Sequence, residues 1–297
     1  VRRISILLPT VLGVTIIIFS LMHLAPSGPA RLMLGPKATP EALERLREEF
    51  GLNDPVHIQY LNWIKDLLHG DLGKSVVTRG SVLERISGRL QATLELTVVA
   101  FALTVVIAIP VGVFVAAKQY SIADNVMTFL AIFWISMPQF WLGLIFMLVF
   151  SANLGWLPIS GRGGPLWTVQ GLKYLILPAL SLGLPGIALI MRLTRSGMLE
   201  VLNEDYIRTA RSKGLRERVV VLKHALRNAL LSIVTMLGMR IPWLLGGAVI
   251  VETVFAWPGM GRLLVNAVFQ RDYPVVQGVT LMIAGLVMLS NLTVDLL

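Results

Sequence analysis

Gly73-Lys74-Ser75 is the closing triplet of a phosphate-binding loop, in which backbone N–H groups cradle phosphate and the lysine meets its charge. That loop needs another glycine five residues before Gly73, but Leu68 stands there and no strand precedes it. The triplet reads instead as a turn after an amphipathic helix, and no nucleotide site is expected. The histidines His23, His57, His69 and His224 are scattered, without metal-ligand spacing to one another. His69 lies close to Asp71 in a Gly-rich turn, where turn chemistry is the simpler reading. No Gly-x-Ser-x-Gly occurs, and the absence of cysteine removes thiolate metal sites, disulfides and Cys nucleophiles. Intramembrane proteolysis would want paired Asp, or Ser with His, inside an apolar span. Asp295 and Glu252 lie only at span ends, and His23 near one. No catalytic residue and no metal site is expected.

The remaining chemistry is electrostatic. Glu204, Asp205, Tyr206, Ile207, Arg208, Thr209, Ala210, Arg211, Ser212, Lys213, Gly214 and Leu215 form a polar stretch between two apolar spans. Ile207, Ala210 and Gly214 fall at i, i+3 and i+7, which predicts a small apolar stripe on one helix face. Arg208, Arg211 and Lys213 flank it. Such a stripe lets another protein's backbone approach, and the cations pair with its carboxylates: a docking knob for a soluble partner. Arg240 is the second charge of interest, near the middle of a predicted span, where it is costly unless it faces protein or water. Glu252 is about 18 Å away along a helix and cannot be its intrahelical partner. A structural pair and a cation lining a polar pathway stay open as readings. Pro242, Gly246 and Gly247 would kink that span, and Ser136-Met137-Pro138-Gln139 would break another, as suits a moving gate.

The elements that position these groups are apolar. Of 297 residues, 55% are hydrophobic and 14% charged, against about a quarter charged in soluble domains. Six spans of bilayer length are predicted: 4–24, 94–117, 126–150, 175–191, 229–251 and 275–296. The first is too long for a signal-peptide core of roughly 7–15 residues and reads as uncleaved. Residues 192–228 hold nine Lys or Arg against four acids, whereas the loops 151–174 and 252–274 hold two basic residues each. The positive-inside rule then puts 192–228, Arg2, Arg3 and both termini in the cytoplasm. It also explains the net charge of +9 better than nucleic-acid binding does. Residues 1–26 are the first transmembrane helix and 91–297 a five-helix core. Residues 27–90 between them form a small outer helical region. Thr39-Pro40-Glu41 starts a helix whose Leu43, Leu46 and Phe50 form a stripe before Gly51. Ile58, Leu61, Ile64 and Leu68 repeat the pattern before Gly70.

Three segments carry a resemblance that runs almost end to end. They are Glu204–Gly214 with His224-Ala225-Leu226-Arg227-Asn228-Ala229; Phe255–Leu263 with Arg271-Asp272-Tyr273-Pro274-Val275-Val276-Gln277-Gly278; and His69–Ser75. In them the chain resembles the inner-membrane permeases of the dipeptide, oligopeptide and nickel branch of ABC importers. The resemblance implies an all-α, six-helix type I permease fold in a bacterial or archaeal cytoplasmic membrane, moving small peptides or peptide-like solutes. It implies a heterodimer with a second related permease, two cytoplasmic ATPase subunits that bind ATP and Mg, and an extracytoplasmic solute-binding protein. The 204–215 loop would be the ATPase-coupling loop. Pro258, Gly259, Gly261, Arg271, Asp272, Tyr273 and Pro274 would form an extracytoplasmic motif, and Pro138, Gln139, Arg240 and Pro242 would line the pathway. Nickel-chelate, glutathione and oligosaccharide uptake are alternatives. A secondary transporter or channel would show repeated halves or a ring of intramembrane charge, and neither is present. Ser232 stands where relatives commonly have Pro, Arg240 where Gln is usual, and Pro26-Ser27-Gly28-Pro29 replaces Pro-Gly-Asp-Pro. The short basic tail of relatives is absent after Leu297.

Overall fold

The computed structural model describes residues 2–23, 29–35, 38–49 and 51–296. Pro26, Ser27 and Gly28 of the altered motif, and Phe50 of the predicted stripe, fall outside them. The described chain is helical apart from one antiparallel bridge between Lys74 and Ser81. In order, the helices are α1 (Arg2–His23), α2 (Pro29–Leu34), α3 (Pro40–Glu49), α4 (Val56–Leu68), α5 (Val82–Ala117), α6 (Ile122–Ser136) and α7 (Gln139–Phe146). A π-helical turn, Met147–Asn153, continues α7. After it come α8 (Val169–Leu202), α9 (Asp205–Ser212) and α10 (Glu217–Val219), the last extended by a second π-helical turn, Val220–Ala225. Then follow α11 (Leu226–Gly238), α12 (Arg240–Val254), α13 (Met260–Gln270) and α14 (Tyr273–Leu296).

Among the described residues, four helical stretches are long and apolar enough to cross a membrane: Val82–Ala117, Val169–Leu202, Glu217–Gly238 and Tyr273–Val294. The pair Ile122–Ser136 and Gln139–Asn153 makes a fifth if it is taken as one span bent by 107°. In α1 the described apolar stretch, Pro9–Ser20, is shorter. The 107° bend falls where the sequence puts Pro138, because a proline ring pushes the residue before it out of the helical region. Met137 is accordingly extended, at φ −85° and ψ 133°.

The fifth span departs from the expectation of one helix kinked at Pro242, Gly246 and Gly247. It is two helices, with the break at Met239. A proline ring clashes with the carbonyl four residues earlier, here that of Gly238, so α11 ends there. Pro242 then sits in the first turn of α12, where its missing N–H costs nothing. Gly246 and Gly247 lie inside the unbroken α12. The fourth span is longer than predicted and continues as one helix across Pro178 and Pro185, both buried. Helices α6, α7, α11 and α12 all pack on α8, which replaces by contact what the prolines remove from its bonding.

The chain divides into two compact units, Val1–Ala92 with Pro258–Leu289, and Thr93–Trp257 with Ser290–Leu297. In the first, Thr39 Oγ1 accepts from Ala42 N–H at 3.3 Å and caps α3, as predicted, and Leu46 is buried beside Ala30. The α4 stripe behaves differently from expectation: Ile58, Leu61 and Leu68 are exposed, and no α4 residue is buried. Instead Tyr60 and Trp63 hold α4 to α1, their rings 5.3 and 5.8 Å from that of Phe19, with the Tyr60 hydroxyl 2.9 Å from Thr15 Oγ1. A second cluster joins the start of α5 to α13 and α14 through Val82, Ile86, Met260, Leu263, Val275 and Val279.

The second unit is built around α8. That helix meets α5 tightly at Gly112, where an added Cβ would lie 2.6 Å from Thr194 Cβ and 2.8 Å from the Met191 carbonyl. No side chain fits there, so the glycine is what lets the two backbones meet.

Candidate functional site

The polar loop becomes α9, an eight-residue helix preceded by Glu204 and followed by Lys213 and Gly214. Gly214 closes it in the left-handed region at φ 75°, a conformation that glycine adopts without cost. Gly214 is therefore off the helix, and the predicted three-residue stripe is shortened to Ile207 and Ala210. The stripe also faces the other way from expectation. Ile207 is fully buried and Ala210 nearly so, in this chain's own core with Val220, Val221 and Ala225. An apolar face this small is consumed in seating α9 on the following turn, so its outward surface is the polar one.

That surface carries Asp205, Arg208, Thr209, Ser212, Lys213 and Gly214, all exposed, with Tyr206 and Leu215 partly so. Two contacts fix its edges. Asn228 Nδ2 donates to the Tyr206 hydroxyl at 2.5 Å, and Arg211 Nη2 pairs with Glu217 Oε1 at 2.8 Å. The Glu217 carboxylate, as hydrogen-bond acceptor, holds the Arg211 guanidinium above its ordinary range. Arg208 bonds only across one turn, to Asp205 at 3.2 Å, and stays 71% exposed.

The second group of predicted residues lies along α8. Gln139 is the first residue of α7 and Arg240 the first of α12, each just past a helix break. Gly247 approaches both Gln139 and Leu182, an added Cβ falling 3.0 Å from Gln139 Oε1. Four residues on in α8, Gly186 receives the Arg240 guanidinium, whose Nη2 is 3.0 Å from the same construction. Arg240 also stacks on Trp243, 4.0 Å from the ring centroid. Pro138 is exposed, and Pro242 is half-buried beside Arg240 in the same turn. Of the two readings left open for Arg240, a structural ion pair is not seen among the described residues: its buried Nε and Nη2 find no acceptor there, nor does Gln139 Nε2.

The third group, in the first unit, joins two segments that are remote in sequence. Asp272 is fully buried and accepts from Ser75 Oγ, from Val76 N–H at 3.0 Å and from Arg85 Nη1 at 3.0 Å. Arg271 precedes it at φ 58°, the left-handed cap of α13 that turns the chain into Tyr273 and the buried Pro274. Gly259 precedes α13 in extended conformation and, like Gly261, is buried, with Pro258 half-buried ahead of them. The Gly73-Lys74-Ser75 triplet thus has an architectural use. Asp71 Oδ1 accepts from Gly73 N–H at 2.8 Å, and the turn presents Ser75 to Asp272.

Sequence reasoning missed the ion pairs of the second unit. Asp124, almost fully buried, receives Arg195 through two bonds of 2.6 and 2.7 Å, fastening α6 to α8. Glu95 receives Arg162 in the same forked way at 2.7–3.1 Å, and Thr93 donates to the buried Glu252 at 2.6 Å. The signal was available, since lone acids within apolar helices need a partner, but spacing names no partner 71 residues away. Among the described residues no three His, Cys, Asp or Glu side chains converge as a metal site would require.

The second unit is thus a set of apolar helices packed on the proline-bearing α8, with the polar α9 seated beside them. Residues 108–297 match the family described as binding-protein-dependent transport system inner membrane component, and residues 1–97 its N-terminal counterpart. The chain belongs to this family, the multi-pass inner-membrane permeases of ABC importers. It is 44% identical to the oligopeptide transport system permease protein AppB of Bacillus subtilis (strain 168), over 100% of this chain and 95% of that one. It is 43% identical, with the same coverage, to the dipeptide transport system permease protein DppB of Escherichia coli (strain K12). Identity is also 43% to the glutathione transport system permease protein GsiC of Salmonella typhimurium (strain LT2), over 100% and 94% of the two chains. A solved structure of the MetNI methionine ABC transporter, in inward-facing conformations, shares the fold at TM-score 0.57 and 20% identity, covering 71% of this chain and 93% of that one. The chain is accordingly a translocation subunit of an ABC importer, a class in which ATPase and binding-protein functions belong to separate subunits.

Proposed function

We propose that this chain carries small peptides or peptide-like solutes across the cytoplasmic membrane, paired with a second related permease. Two ATPase subunits sit below, holding ATP and Mg, and a solute-binding protein docks above. Both termini and the 192–228 loop are cytoplasmic, and residues 27–90 with the Pro258–Pro274 motif face outward. Residues 204–215 are the coupling loop: α9 sits in a groove of the ATPase, and closure of the ATPase pair moves it.

The observation that carries this is the two-sidedness of α9. Its apolar residues are spent on this chain's own core, so a push on its exposed polar face is transmitted into the α10–α11 segment through Ile207 and Ala210. Peptide cargo draws support from the oligopeptide and dipeptide permeases that the chain resembles over its full length. Glutathione, itself a small peptide, is favoured by the third relative and is the reading to separate from it.

The test is ATP-driven uptake by the complete complex in proteoliposomes, with labelled dialanine and labelled glutathione as probes. Uptake of dialanine that needs both ATP and the binding protein supports the reading. Arg208→Glu, which inverts an exposed charge on α9, should abolish uptake while leaving insertion and assembly intact. Full uptake by Arg208→Glu would remove α9 from the coupling path.

A further inference from the structure

Arg240 and Gln139 share a property that their separate positions in the sequence conceal. Each is the first residue after a helix break, and each buries N–H groups that no acceptor in the described chain meets. The two lie along one seam. Leu182 and Gly186, one turn apart on α8, face Gly247 and Arg240, two turns apart on α12, and Gln139 enters beside Gly247. The donor heads are set by their contacts on α8: the Gln139 amide by Gly247 and Leu182, the guanidinium by Gly186, one turn or about 6 Å further along. An extended chain of about two residues has that length.

The orphan groups are chemically uniform. A guanidinium offers five donors and no acceptor, and the Gln139 nitrogen is likewise a donor. Stacking on Trp243 shelters the guanidinium face but leaves its in-plane N–H groups unused. Thr104 Oγ1 lies beside the same Gly186 position and has lone pairs free to accept, yet neither Arg240 Nε nor Nη2 is hydrogen-bonded to it. Unmet donors in an apolar interior are costly and rarely retained without use. A row of donors complements a ligand made of acceptors, above all a carboxylate, which takes a guanidinium through two parallel bonds. Both donors sit next to breaks, at Met137–Pro138 and at Met239, so the seam can part there without unwinding a helix.

We propose that, when this seam opens, Arg240 receives the C-terminal carboxylate of the cargo and Gln139 a peptide oxygen, making Arg240 a residue that selects for free-acid peptides. The proposal rests on the peptide reading above and names the chemical feature that the membrane pathway recognises.

The experiment compares dialanine with dialanine amide in the complete complex, taking the ratio of uptake rates in the wild type and in Arg240→Gln. The binding protein's own preference is common to both and cancels. The acid-to-amide ratio should fall about tenfold or more in the variant, the size of one lost charge-assisted bond. An unchanged ratio, whatever the absolute rate, overturns the proposal while leaving the peptide reading standing. A wild-type complex that moves neither probe overturns both. Should Arg240→Gln assemble or transport too poorly to measure, Arg240→Lys is read in the same way. It keeps the charge but loses the planar fork, so the ratio should fall severalfold, and an unchanged ratio again overturns the proposal.

Discussion

Replacing Ile207 by alanine asks which interaction keeps α9 in place. Three contribute. Ile207 is fully buried, and its side chain supplies about 2–3 kcal/mol that alanine would forfeit. The Asn228–Tyr206 hydrogen bond adds about 1 kcal/mol. The Arg211–Glu217 pair, its side chains 42% and 60% exposed, adds no more than about 1 kcal/mol after solvent screening. The apolar contact should dominate although the helix looks electrostatic. The assay is amide hydrogen exchange of residues 205–212 in the permease held in nanodiscs, which reads local opening directly. Ile207→Ala should raise exchange there by about thirty- to a hundred-and-fiftyfold, and Arg211→Ala by less than about fivefold. In the full complex, Ile207→Ala should also hydrolyse ATP with less uptake per ATP, because a loosened helix no longer transmits force. Equal or greater loosening by Arg211→Ala would refute the ranking and restore ion pairing as the anchor.

Asp272→Ala should destabilise the first unit by about 3 kcal/mol, leaving Val76 N–H and the Ser75 hydroxyl without their acceptor and Arg85 without its counter-charge. Proteolysis of residues 27–92 in the inserted protein reads it, and cleavage at the wild-type rate would count against a structural role for the motif. Asp124→Ala should cost a similar amount by leaving Arg195 uncompensated, seen as a lowered melting temperature, while Arg208→Ala on the surface should not move it. Gly112→Val should block close packing of α5 on α8, because its first carbon already meets Thr194 and the Met191 backbone. Loss of folded permease on expression is the expected readout, with Gly197→Ala, where the space is open, as the tolerated control.

Much of this architecture is written locally. Apolar runs announce membrane helices because the bilayer sets their length, and Pro138 announces a break because the ring acts on its immediate neighbour. Thr39-Pro40 marked the start of α3, and the resemblance carried by three motifs was enough to identify the family. What local reading could not supply is direction. The Ile207–Ala210 stripe was legible as a stripe, but whether it served a partner or this chain depended on Val220, Val221 and Ala225 closing over it. The α4 pattern likewise offered two faces, and Phe19 chose the aromatic one. Pro242 was visible, yet its effect fell on Gly238 and made Arg240 the head of a new helix.

Pairing across distance was hidden most completely. Asp124 with Arg195, and Asp272 with Ser75 and Arg85, are contacts between residues 71 to 197 positions apart. Composition shows only that a buried acid must find a cation or a donor, because its charge is costly without one. Which one it finds is decided when the helices pack. The same holds for Arg240: sequence marks it as a charge in an apolar helix, and only the packing of α12 on α8 leaves its donors unmet.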